Sequence, residues 1–220
     1  MTSHEKRTLV AKFRIGGNLR FLSHLETMML WSRALARSGV DVCFSSGFNP
    51  HPRLSLPLPR SVGVRSDDEL LCAQVFADAG VRTDNLLEAL RREVPEGCTV
   101  VSVELYEGKA SFHAVGAIYE FALLAPASQE LVGRVAALTA AAARGETITV
   151  QRQKEGGGAV SLDAGPYLVS ADVADDRVTV NCRITPGGSL RVDEIMQLLG
   201  LEVEDLDGGV LRKSVQWERN

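Results

Sequence analysis

Two histidines, His24 and His51, fall within a short stretch that also holds several arginines and a proline-bound turn. Imidazole can change its charge near neutral pH. Such a pair would permit general acid–base work, including RNA cleavage through the 2′-hydroxyl, or the orientation of a ligand. Ser23 precedes His24, and Glu26 follows three residues after the serine. That spacing predicts a capping box at a helix start, with His24 at the first helical position. The helix dipole there disfavours imidazolium and predicts a neutral ring near pH 7. The unpaired N–H groups of the same helix end suit phosphate. The competing reading is a local structural histidine.

The second histidine lies in Ser45-Ser46-Gly47-Phe48-Asn49-Pro50-His51-Pro52-Arg53. Asn49 and His51 each precede proline, which steers both away from the helical region. Pro50 and Pro52 fix their own φ. His51 is therefore expected on a stiff, extended segment. Phe48 either plugs the core, the preferred reading, or stacks on a base. The connection from 46 to 68 is long, and long ordered loops tend to carry function.

Charge points the same way. Residues 1–65 hold ten Lys and Arg against three Asp and Glu, a balance of +7, within a chain of net charge −4. A basic quarter in an acidic chain attracts phosphate. Arg33 and Arg37, four apart on the first helix, are expected to join Arg53 and Arg60 as a phosphate-binding wall. The competing readings are a solvated face or a match to the acidic remainder. The candidate nucleic-acid contacts are thus Ser23, His24, Arg33, Arg37, Phe48, Asn49, His51, Arg53 and Arg60.

These residues also carry a likeness. Arg20-Phe21-Leu22-Ser23-His24-Leu25-Glu26, Gly47-Phe48-Asn49-Pro50-His51-Pro52-Arg53, Leu56-Pro57-Leu58 and Gly63 resemble the radical-SAM-linked family, also called DUF2344. The resemblance implies a protein fused to, or encoded beside, a radical SAM enzyme with a B12-binding-like domain. The iron–sulfur cluster, S-adenosylmethionine and cobalamin would then belong to that partner. It implies no established activity. Two places depart from the family pattern. Glu26 replaces a more usual Asp, and the segment Ser161–Pro166 lacks the Arg of an Asp-x-Arg-Pro piece.

The four cysteines, Cys43, Cys72, Cys98 and Cys182, are widely scattered. Their spacing suggests no zinc site and no disulfide framework, and none of the closely spaced triplets that hold a radical SAM cluster. They read as buried thiols. No metal or cofactor is expected in this chain.

The elements that must position these groups follow from periodicity. A strand is predicted over 8–15. A helix is predicted over 24–38, with Leu25, Met28, Met29, Ser32, Leu35 and Ala36 as its apolar stripe and Trp31 at the margin. Strands at 41–45 and 69–76, a helix at 83–93 and a strand at 98–105 complete β-α-β-β-α-β. With one extra strand allowed, the second half repeats that order: strand 117–125, helix 128–144, strands 147–152, 167–173 and 177–184, helix 191–199 and strand 210–217. The expected fold is α+β: tandem ferredoxin-like units with antiparallel sheets, spanning 1–108 and 116–220 and joined near 106–116. The triple glycine at 156–158 reads as a turn. His4 is assigned to a frayed terminus, His113 to the linker and Trp217 to packing.

No apolar run reaches membrane-spanning length, and no apolar region follows the first residues as in a secretory signal. A cytoplasmic location is the default expectation. Three functions remain. The first is a non-catalytic accessory of a radical SAM enzyme that binds or presents an RNA substrate. The second is a protein-interaction module without nucleic acid. The third is a metal-independent endoribonuclease like the Cas6 processors of CRISPR RNA, for which His24 and His51 would be the catalytic candidates. The last rests on fold-level analogy.

Overall fold

The alternating segment at 8–15 forms a strand, β1 (Glu5–Ile15). A computed structural model describes residues 5–77, 82–154 and 156–220; His4 lies outside them. The chain divides into two units, Met1–His113 with Trp217–Asn220, and Ala114–Gln216. The architecture mixes antiparallel strands with four α-helices among the described residues.

In the first unit, β1 is followed by α1 (His24–Arg37), β2 (Leu54–Ser55), β3 (Arg65–Ala77), α2 (Thr83–Glu93) and β4 (Cys98–Glu107). β1 lies between β3 and β4, and β2 pairs with β3; each ladder is antiparallel. The predicted strand at 41–45 is only partly formed. Asp41 accepts from the Phe76 N–H at 2.8 Å, and the Cys43 N–H donates to the Gln74 carbonyl at 2.8 Å. The chain then leaves the sheet and returns at Arg53, whose carbonyl accepts from the Gln74 N–H at 2.8 Å. One edge strand is thus interrupted by a protruding loop.

The two-residue period of β1 sends Leu9, Ala11, Phe13 and Ile15 to one face, where they meet Leu71, Ala73 and Val75 of β3 and the helices. The buried side of α1 is Thr27, Trp31, Ala34 and Leu35. This corrects the predicted stripe. Leu25 is 69% exposed and Met29 46% exposed, whereas Trp31 is 0% exposed. Its ring meets Phe13 edge-on, with centroids 4.7 Å apart. A tryptophan removes more apolar area from water than any alternative on the helix, so it sets the rotation of the helix on the sheet. On the opposite face, Val10, Leu70 and Cys72 pack with Tyr106, Phe112 and Trp217.

The second unit contains β5 (Phe112–Leu123), α3 (Gln129–Ala143), β6 (Thr149–Gln153), β7 (Ala159–Asp163), β8 (Leu168–Ala174), β9 (Arg177–Arg183), α4 (Val192–Leu199) and β10 (Leu206–Arg219). Its strands are neighbours in the order β10-β5-β9-β8, and β6 pairs with β7 alone. The single strand expected at 147–152 is therefore the first arm of a hairpin. The expected linker at 106–116 shrinks to four residues, 108–111, and His113 sits in β5. Within the segment that departs from the family pattern, Ala164 is fully buried. The neighbouring Asp163 carboxylate accepts from the N–H groups of Ile148 and Gly165, both at 2.9 Å.

The extra hairpin is tied to α4 by polar groups gathered around the buried Glu194. Arg152 of β6 forms a two-armed ion pair with Glu194, one arm 2.9 Å long. The same Glu194 oxygen accepts from the Arg191 N–H at 2.8 Å. Burial pushes the Glu194 carboxyl upward, but Arg152 and the Arg191 N–H outweigh it and hold the group below the ordinary carboxylate range. Gln197 adds a bond to the Gln151 N–H at 2.7 Å.

Candidate functional site

The helix start is built as its residue types dictate. The Ser23 hydroxyl accepts from the Glu26 N–H at 3.3 Å, and the Glu26 carboxylate accepts from the Ser23 N–H at 2.8 Å. The Ser23 side chain and backbone together hold the Glu26 carboxyl below its ordinary range. Thr27 donates from its hydroxyl to the Ser23 carbonyl at 2.9 Å. His24 is thereby fixed as the first residue of α1, with its side chain exposed.

The loop after β2 locks the segment before this helix. Arg60 is only 8% exposed. Its guanidinium donates to the carbonyls of Arg20 at 2.7 Å, Val64 at 2.6 Å, Leu22 at 3.2 Å, Leu19 at 3.3 Å and Ser61 at 3.3 Å. The Gly63 N–H adds a bond to the Arg20 carbonyl at 2.8 Å. A planar guanidinium presents five donors in a fixed fork, so one side chain can gather the turn at Gly17–Phe21 and the 60–64 loop. His24, Thr27, Leu56, Leu58, Arg60 and Glu69 line a small pocket at this junction. Glu69 is a buried carboxylate that the sequence alone does not mark, because it follows Asp67 and Asp68 and resembles one more solvent-facing acid.

The second cluster is the protruding loop. Phe44 and Pro52 form an isolated bridge at its base. The Ser45 N–H donates to the His51 carbonyl at 2.8 Å, and the His51 N–H donates to the Ser45 hydroxyl at 2.9 Å. Arg53 donates from its backbone to the Cys43 carbonyl at 2.8 Å and from Nε to the Phe44 carbonyl at 3.2 Å. Gly47 has φ +143°, a conformation that side chains rarely adopt. Phe48 is wholly exposed at 107%, which overturns its preferred placement in the core. A short loop closed by the Ser45–His51 hydrogen bonds and stiffened on its returning arm by Pro50 and Pro52 holds its tip out in solvent. Asn49 and His51 are exposed beside it.

The expected arginine wall divides. Arg60 faces inward and leaves the set of phosphate contacts, because its donors already meet buried carbonyls. Arg37 is held by Glu93, with Nε 2.9 Å from the carboxylate and a second bond of 2.7 Å to the Glu93 carbonyl. Arg33 and Arg53 are exposed, and among the described residues neither forms an ion pair. The sequence-level site thus resolves into a helix-start cluster of Ser23 and His24 on an Arg60 support, and a loop cluster of Phe48, Asn49, His51 and Arg53.

The four cysteines are free and buried. Burial pushes the thiol of Cys72 up to about 11 and those of Cys98 and Cys182 up to about 12. Among the described residues, no three His, Cys, Asp or Glu side chains converge as metal ligands.

The model of an uncharacterised protein family conserved in bacteria, DUF2344, matches residues 8–193 and so includes both clusters. The chain belongs to this family. The matched span of this DUF2344 protein holds the capping box, the Arg60 support and the whole protruding loop. No curated protein matches the sequence. A structural comparison finds the small subunit of acetolactate synthase from Thermotoga maritima. It is 11% identical over 97% of each chain, with a TM-score of 0.28. A likeness of that strength carries no argument about fold or function. No helix among the described residues is long and apolar enough to cross a membrane.

Proposed function

We propose that this protein is a non-catalytic accessory that holds single-stranded RNA for a radical SAM enzyme with a B12-binding-like domain. The observation that carries the RNA reading is the wholly exposed Phe48 at the tip of a stiff loop, with His51 and Arg53 beside it. An exposed aromatic ring next to an exposed arginine is the arrangement on which bases stack and backbones rest. A loop already ordered loses little conformational entropy on binding. The radical SAM partner rests on the resemblance of the two motifs; its cluster, S-adenosylmethionine and cobalamin would be carried by that partner.

At the level of fold, we read each unit as ferredoxin-like. The first has β4-β1-β3 with β2 on β3, and the second β10-β5-β9-β8. With the β6–β7 hairpin counted as an insertion, both follow β-α-β-β-α-β with antiparallel neighbours.

A protein-interaction role has its own support. Phe21, Leu25 and Met29 are exposed around the start of α1, where an apolar partner surface would cover them. The endoribonuclease reading has weaker support, since His24 and His51 belong to separate clusters.

The deciding experiment uses RNA in the absence of metal. Wild type, His24→Ala and His51→Ala are assayed for RNA binding, RNA cleavage and support of the partner's reaction. RNA binding without cleavage, with impaired partner activity in the variants, is the expected result. Cleavage that disappears with His24→Ala would establish a nuclease. Absence of RNA binding at low salt would leave the protein-interaction role.

A further inference from the structure

We propose that Arg53 and Lys109 form a binding site for a phosphate monoester on the face of the first unit's sheet opposite α1 and α2. They line a pocket of about 240 Å³ together with Ser55, Gln74 and Ser111. Lys109 is distant in sequence and lies in the short turn between β4 and β5. Thr8, 1% exposed, holds that turn in place. Its hydroxyl donates to the Gly108 carbonyl at 2.8 Å and accepts from the Ala110 N–H at 2.9 Å.

The opposite wall is equally constrained. The Arg53 backbone bonds to Cys43 and Gln74 on both sides, and its Nε is occupied by the Phe44 carbonyl. Its terminal amino groups remain to grip two oxygens of one anion. The hydroxyls of Ser55 and Ser111 and the Gln74 amide supply neutral donors. Ser111 Oγ accepts from the Asn220 side-chain amide at 3.0 Å, so its own O–H stays available to donate. No carboxylate lines the pocket, and among the described residues neither cation is ion-paired. At the floor, the buried Cys72 thiol is held neutral and offers no repulsion.

Two cations with neutral donors match a dianion better than the single charge of a phosphodiester link. The volume lies below the roughly 300–1,000 Å³ usual for larger organic ligands, which suits a phosphoryl group with its sugar. The phosphate could end an RNA or belong to a mononucleotide, and the site itself does not depend on the RNA reading.

The test is a titration of the full chain with inorganic phosphate, a nucleoside 5′-monophosphate, and one short RNA bearing either a 5′-phosphate or a 5′-hydroxyl. Variants are Arg53→Ala, Lys109→Ala, Lys109→Gln and, as control, the exposed Arg92→Ala on α2. The phosphorylated RNA or the mononucleotide should bind about tenfold tighter than its unphosphorylated counterpart. Arg53→Ala and both Lys109 variants should abolish that preference, and Arg92→Ala should keep it. Mononucleotide binding without any RNA binding would refute the RNA reading while upholding this site. RNA binding that ignores the end group, with no mononucleotide or phosphate bound, would overturn the site and leave the RNA reading standing. Thermal melting of each variant confirms that the comparison is between folded proteins.

Discussion

The Arg60 guanidinium donates to the main-chain carbonyl of Arg20 across 2.7 Å, and the Gly63 N–H meets the same oxygen at 2.8 Å. This pairing joins two segments some forty residues apart. It explains why the helix start and the loop after the edge strand occur together in one motif. Arg60 supports the helix-start site from beneath and does not face its ligand.

Arg60→Ala should therefore act on stability. Removing the side chain strips the Leu22 and Val64 carbonyls of their donor, while those of Arg20, Leu19 and Ser61 keep a backbone N–H; each stripped carbonyl costs about 1–3 kcal/mol before relaxation. A net loss of roughly 3 kcal/mol in urea unfolding is expected, with faster amide exchange in the first turn of α1. Arg60→Lys should recover part of it, since an ammonium offers fewer donors. Unchanged unfolding would refute this support role.

Phe48→Ala should do the reverse. A wholly exposed ring contributes little to folding, so stability should stay within about 0.5 kcal/mol. Affinity for single-stranded RNA should fall by about 1–3 kcal/mol, the usual loss for one stacked base. Equal affinity of wild type and variant, measured by fluorescence anisotropy, would count against stacking.

Salt dependence separates the arginines. Arg33→Ala and Arg53→Ala should each lower the slope of log K against log salt by about one if each meets a phosphate. Arg37→Ala should disturb the contact with Glu93 instead, leaving the slope close to wild type. A slope altered only by Arg37→Ala would reverse the assignment of the exposed cations.

Glu194 predicts an acid-sensitive second unit. Its carboxyl is lowered in the folded chain relative to about 4.3 when unfolded. Its contribution is therefore complete above that value and is lost as pH falls through the lower folded value. Glu194→Gln should cost about 3 kcal/mol at pH 7 and progressively less under acid. A cost that does not change with pH would show that packing, not the ion pair with Arg152, is responsible.

The thiols predict the alkaline limb. Cys72, Cys98 and Cys182 are raised to about 11, 12 and 12, against about 8.5 for an unfolded thiol. Folding is fully supported below about pH 8.5, and stability declines as pH rises toward the folded values. Alkylation of the folded chain at pH 8 should be slow at these three positions. Rapid labelling without unfolding would show that they are accessible.

Local chemistry was legible in the residues. Ser23 and Glu26 determine the capping box, and Gly47, Pro50 and Pro52 determine a stiff turn, because these effects act over a few bonds. Most of the element order was legible too, since apolar periodicity reports which residues leave water; the largely exposed β7 carries no such signal. Side-chain direction was not. Phe48 projects outward because its loop is closed by Ser45, His51 and Pro52, and Trp31 turns inward because Phe13 waits across the sheet. Arg60 looks in sequence like Arg33, yet one meets buried carbonyls and the other meets solvent. Nothing local marks Lys109 as a neighbour of Arg53. Strand pairing places them at one pocket, and pairing between distant segments is decided by the global burial of apolar surface, which only the folded chain completes.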